Sequence, residues 1–154
     1  MIAGLLLMAA SAGAAHAHAD EQPINCGSCA KWNALHAPFK LHGNSFYVGV
    51  GGLSSVLITT PNGHFLIDGG LPQSAEVIKQ NIQALGFDVR DVEWLLNSHA
   101  HYDHAGGLAA LQRMSGAPIA ASSKTLKALE LGHALPDDPQ YATDNTMAFP
   151  AVAS

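Results

Sequence analysis

Six consecutive residues, His99-Ala100-His101-Tyr102-Asp103-His104, gather three imidazoles and a carboxylate directly after the apolar run of residues 92–96. Neutral imidazole nitrogen and ionised carboxylate oxygen are donors that a borderline cation such as Zn²⁺ prefers. Four of them this close would repel one another or waste hydrogen bonds without a cation to organise them. A lone histidine is usually a satisfied surface or core residue, whereas an H-x-H-x-D-H array at a strand-to-helix turn reads as a metal site. His99 and His101, two apart, point the same way in an extended stretch and can share one ion. Asp103 and His104 fall further round the turn and reach a second ion beside the first. Two such ions about 3.5 to 4 Å apart clamp one water and lower its pKa toward about 7, which supplies hydroxide at neutral pH.

The elements that must hold this cluster follow from periodicity. Residues 92–98 predict a buried strand that leaves the sheet at His99, with the four ligands on one tight loop and the next helix opening near Gly106. Gly106 and Gly107 keep side chains out of that space, and Leu108, Leu111 and Met114 repeat at helical spacing. Upstream, residues 39–41 and 46–50 flank His42-Gly43-Asn44 as one hairpin. Residues 53–60 and 64–67 flank Pro61-Asn62-Gly63 as another, where Asn-Gly favours a tight turn. Gly49-Val50-Gly51-Gly52 lacks G-x-G-x-x-G spacing and leads into a strand-like run, so it is a turn and not a nucleotide loop. Val77, Ile78, Ile82 and Leu85 mark one face of a helix stopped by Gly86. The helix after the histidines ends at Gly116, and residues 119–121 form a short strand. Ser122 or Ser123 caps a third helix running to Leu131, with Gly132 at its end. Pro136, Asp137, Asp138, Pro139 and Pro150 break both periodicities, so residues 133–154 read as a long loop or ragged end. The class is α/β.

At these residues the chain resembles the metallo-β-lactamase superfamily, whose signature loop is His-x-His-x-Asp-His. Leu66-Ile67-Asp68-Gly69-Gly70 looks like that family's strand ending in an aspartate and glycine. The segments 43–49, 81–87 and 98–108, with Gly116-Ala117-Pro118, look most like subclass B3. His104 separates the chain from the B1 type, which has arginine there. The resemblance spans residues 32–149. It implies an αβ/βα sandwich, two sheets face to face with helices outside and metals at one edge, of which this chain is the N-terminal half.

The resemblance also implies roles. His99 and His101 are two of three histidines on a first zinc, and Asp103 and His104 two of three ligands on a second. Asp68 lies behind the loop and fixes its shape. Asp103 orients the nucleophile or moves its proton, while zinc-bound hydroxide opens the ring of a small-molecule β-lactam. Trp32 in the N-terminal arm and Tyr141 in the late loop are candidates for substrate contact, with packing against the domain as the competing reading. A thioesterase, lactonase or glyoxalase-II-like hydrolase shares the same loop, and a catalytically silent zinc-binding fragment is a further alternative. The family takes one more histidine per zinc from its second half. The sequence ends at Ser154 before either, and His133, the only later histidine, reads as an exposed helix-end residue. Residues 20–154 are therefore expected to be the N-terminal part of a longer domain.

Composition sets outer bounds. At 154 residues and 48% hydrophobic the chain is long enough for a real core. With 12% charged residues and a net charge of −5 it has no basic stripe for phosphate backbones, so no nucleic-acid partner is expected. Residues 2–15 are apolar and alanine-rich and lead into Ala15-His16-Ala17 and Ala17-His18-Ala19, each a small-x-small cleavage pattern. This predicts a signal peptide over 1–19 and a periplasmic or secreted product, although no Lys or Arg precedes Lys31. The run is shorter than the roughly 20 residues of a membrane span, so no stable anchor is expected. Cys26-Gly27-Ser28-Cys29 lacks the second pair of a zinc ribbon and the context of a redox motif. In an oxidising compartment its thiols form a local disulfide or pair with cysteines elsewhere.

Overall fold

The computed structural model of the chain describes residues 22–144 and 148–153. The segment read as a signal peptide, with His16 and His18, lies outside the described residues. Among those described, no helix is long and apolar enough to cross a membrane.

The elements run α1 (Cys29–Trp32), β1 (Phe39–His42), β2 (Ser45–Tyr47), β3 (Val56–Thr60), β4 (Gly63–Ile67), α2 (Ala75–Ala84), β5 (Val92–Leu96), α3 (Tyr102–Ala105), α4 (Leu108–Ser115), β6 (Ile119–Ala120), α5 (Ser123–Leu131) and α6 (Tyr141–Asp144). One six-stranded sheet takes the order β1-β2-β3-β4-β5-β6. The first four strands are antiparallel, built from the two expected hairpins, and β4, β5 and β6 are parallel. Parallel neighbours bring the carboxyl ends of β4 and β5 side by side, where open α/β sheets place their ligands.

Side chains alternate across the sheet. Leu57, Leu66, Val92 and Leu95 are buried with Ile78, Ile82, Leu108 and Leu111 in the main core. The opposite face carries Val56, Ile58, Phe65, Ile67, Trp94 and Leu96, none of them buried. Helix ends follow their chemistry: the Ser122 hydroxyl accepts from Thr125 N–H at the start of α5, and Gly116 and Gly132 close α4 and α5 in the left-handed conformation.

Several expectations are corrected. Strand β2 stops at Tyr47 instead of residue 50, and β3 starts at Val56 instead of 53. Tyr47 hydroxyl donates to the Val50 and Leu53 carbonyls, and Gly49 lies so close to Leu53 and Ser55 that the chain folds on itself there. The described part of residues 133–154 is not a ragged end. Phe149 and Val152 are buried in the main core, and their N–H groups donate to Gly132 and Leu129 carbonyls at 2.8 and 3.1 Å. Apolar periodicity cannot reveal two isolated anchors. Cys26 and Cys29 are joined to each other.

Candidate metal centre

The site grows from the end of β4. Asp68 N–H donates to the Leu96 carbonyl at 2.9 Å, which ties the end of β4 to the end of β5. Asp68 itself has φ 60°, the one described non-glycine residue in the left-handed region. Aspartate tolerates that conformation better than most residues, and such strain clusters at functional sites. The turn aims the buried carboxylate at the segment leaving β5. Its Oδ1 accepts from Asn97 Nδ2 (3.0 Å) and Ser98 N–H (2.8 Å), and its Oδ2 accepts from Ser98 Oγ (2.6 Å) and His104 Nδ1 (2.9 Å).

Asp103 and His104 are not on the loop with His99 and His101, as expected, but on the single turn of helix α3. Residues 102–105 contain neither glycine nor proline, so one helical turn forms before Gly106-Gly107 interrupts it. That turn is held by Gly69 N–H donating to His104 carbonyl (2.8 Å) and Gly107 N–H donating to Gly70 carbonyl (3.1 Å). The approach is that close because Gly69 and Gly107 have no side chains: a Cβ on either would strike the other's backbone.

The three rings converge. His99 lies 4.7 Å from His101 and 4.1 Å from His104, centroid to centroid, and Asp103 Oδ2 is 3.7 Å from His104 Nε2. Among the described residues no three His, Cys, Asp or Glu side chains form a finished metal shell. The donor chemistry nevertheless fits one. A carboxylate only accepts, so His104 donates Nδ1–H to Asp68 and keeps its lone pair on Nε2. Ser98 Oγ gives its single proton to Asp68 and so accepts from His99 Nδ1, 3.1 Å away, which leaves the His99 lone pair on Nε2 as well.

Electrostatics agree at His99, whereas at His104 they favour the charged ring that a metal would have to deprotonate. Burial lowers the His99 pKa, helped by the neighbouring His104 and His101, and so favours the neutral ring that a metal needs. Burial alone would raise the Asp68 pKa, but the His104 hydrogen bond and the Ser98 backbone and hydroxyl outweigh it and hold the carboxyl below its ordinary value. The His104 pKa is raised, first by its bond to Asp68.

Trp32 is half-buried against Gly52, beside the small cluster of Cys29, Val50, Leu53 and Leu71 on which Tyr102 also packs. The half-buried Tyr141 opens α6 and donates its N–H to Asp138 carbonyl at 3.0 Å. His133 is half-buried beside the Ala134 carbonyl. Two residues escaped sequence reasoning. Ser98 enters the sequence reading as the last residue of a strand and the first of the B3-like segment, with no role of its own, although its place before His99 draws attention to it. Asp138, whose Oδ2 is 3.0 Å from His101 Nε2, comes from 37 positions away and was read only as a helix breaker. A cleft beside His99 is lined by Lys124, Thr125, Ala128, Asp137 and Asp138.

Residues 48–145 match the sequence profile of the metallo-beta-lactamase superfamily. The fold is similar to Rm3 metallo-beta-lactamase, at 56% identity and a TM-score of 0.80, over 85% of this chain and 48% of that one. It is similar to MEM-A1, a subclass B3 metallo-beta-lactamase isolated from a soil metagenome library, at 50% identity and a TM-score of 0.75, over 79% and 46%. It is also similar to the metallo-beta-lactamase SMB-1 in a complex with mercaptoacetic acid, at 40% identity and a TM-score of 0.74, over 79% and 46%. The chain spans about half the length of these solved relatives. Profile, fold and the Asp68-braced histidine cluster agree, and the chain belongs to the metallo-β-lactamase superfamily, most like its subclass B3.

Proposed function

We propose that this chain carries the His-x-His-x-Asp-His half of a two-zinc hydrolase site of subclass B3 type, whose substrate is a β-lactam. One observation carries the reading: three imidazoles and Asp103 meet over the Asp68 carboxylate, with the lone pairs of His99 and His104 left free on Nε2 by hydrogen bonds behind them. His99 and His101 would hold one ion and Asp103 and His104 the other. The remaining ligand of each is to be sought outside these residues. Bound zinc supplies Lewis acidity, which acidifies water toward neutral pH and polarises a carbonyl.

The chain's own residues do the rest. Asp68 and Ser98 set ring orientation before substrate arrives. A carboxylate oxygen of Asp103 accepts a hydrogen bond from the attacking water and takes up its proton. The cleft beside His99 admits a small molecule, with the Lys124–Asp137 ion pair at its rim. Trp32 and Tyr141 remain candidates for flanking it. Export to the periplasm or beyond is part of the same proposal, supported by the small-x-small pattern and by the Cys26–Cys29 pair, which persists in an oxidising compartment.

The test is His101→Ala in the protein that carries this chain. Zinc content and hydrolysis of a chromogenic cephalosporin are expected to fall together, with a thioester assayed in parallel. Unchanged zinc stoichiometry removes the ligand assignment, and turnover of the thioester alone removes the β-lactam assignment.

A further inference from the structure

We propose that Asp138 is a positioning residue for His101: it holds the ring in the tautomer whose free lone pair is on Nδ1, and so sets the metal affinity of that half of the centre. The inference rests on the metal reading above and assigns a role to a residue beyond the histidine motif.

The Asp138 Oδ2 atom is 3.0 Å from His101 Nε2, with both side chains largely shielded from water. A carboxylate can only accept, so Nε2 carries the proton and Nδ1 keeps the lone pair. The carboxylate is held by its own loop and not by the histidine. Its Oδ1 accepts from Gln140 N–H at 2.8 Å, its N–H donates to Leu135 carbonyl at 2.9 Å, and its carbonyl accepts from Tyr141 N–H at 3.0 Å. With Oδ1 engaged, Oδ2 alone faces His101. His104 is matched in the same way by Asp68, and His99 by Ser98. Each of the three rings therefore has a partner behind it, and Asp138 is the one contributed by the segment after α5. Outer partners of this kind fix the tautomer and orientation of a ligating imidazole and raise its basicity. Asp137, the preceding residue, pairs with Lys124 at the surface.

Asp138→Asn would keep Oδ1 on Gln140 N–H and turn its amide NH₂ toward His101. Nε2 would then have to accept, and the proton would move to Nδ1. The protein that carries this chain is compared with Asp138→Asn, Asp138→Ala and Asp137→Asn by Co²⁺ and Zn²⁺ titration against a chromophoric chelator. Long-range proton–nitrogen correlation on the imidazoles reads the tautomer, and far-UV circular dichroism in chelator checks the fold. Affinity is expected to fall about 10- to 100-fold in both Asp138 variants, to stay unchanged in Asp137→Asn, and the Nε2–H signature of His101 is expected in the parent and lost in Asp138→Asn. Equal affinity in parent and Asp138→Asn, an equal loss in Asp137→Asn, or an Nδ1–H signature in the parent overturns the positioning role alone. A parent protein that binds neither ion overturns the metal reading itself, and this proposal with it.

Discussion

The Asp68 carboxylate accepts from four donors on residues 97–104, so the shape of the histidine cluster depends on its charge. The pair it forms with His104 has a defined pH window in chelator-treated protein. The folded-state pKa of Asp68 is lowered, so its contribution is present above the ordinary carboxyl value of 3.8 and is lost as pH falls through the folded value. The folded-state pKa of His104 is raised, so its contribution is complete below the ordinary imidazole value of 6.5 and is lost as pH rises through the folded value. Stability measured by urea unfolding in chelator should therefore be highest between those two values. Asp68→Asn should cost about 2 kcal/mol there, the worth of a hydrogen bond between charged groups, and flatten the profile on both sides. An unchanged profile would show that the pair contributes nothing to folding.

Two glycines decide whether the elements can bring this pair together. Helix α3 meets the end of β4 only because Gly69 and Gly107 let their backbones touch, a contact continued by the bridge between Gly70 and Ala105. Gly107→Ala places a methyl against the Gly69 carbonyl, and neither backbone has a flexible end that can yield. Overpacking of this kind costs about 1 to 3 kcal/mol. The variant should unfold at lower urea and bind Co²⁺ more weakly, because moving α3 carries Asp103 and His104 with it. Gly116→Ala, at a left-handed helix end with open space around it, should lower stability without lowering metal affinity. Comparing the two variants by the same titration separates site geometry from general stability.

At the scale of the whole molecule, the described residues cover the sheet on one face only. Strand register aligns Ile58, Phe65 and Trp94 in one row and Val56, Ile67, Leu96 and Ala120 in the next, all on the side away from the helices. Trp94 is 42% exposed. A contiguous apolar face of this kind promotes association. The 154-residue chain should show concentration-dependent self-association by light scattering, and Trp94→Glu should shift it toward monomer while leaving metal affinity intact. A monodisperse monomer at all concentrations would contradict this.

The amino-acid order by itself determined the donor side chains of the proposed centre, the hairpins and the α/β class. Each depends on near neighbours: an H-x-H-x-D-H spacing, an Asn-Gly turn, apolar residues at strand or helix period, and a serine or glycine at a helix end. It also showed that Asp68 belonged with the histidines, though only through resemblance to a family. Tertiary structure decided what depends on distance in space. It placed Asp103 and His104 on a helical turn, the carboxylate of Asp138 behind His101, Ser98 between Asp68 and His99, and Phe149 and Val152 back in the core. None of these has a sequence period, because a hydrogen bond between residues 37 positions apart is specified by how the intervening elements pack and not by any local pattern.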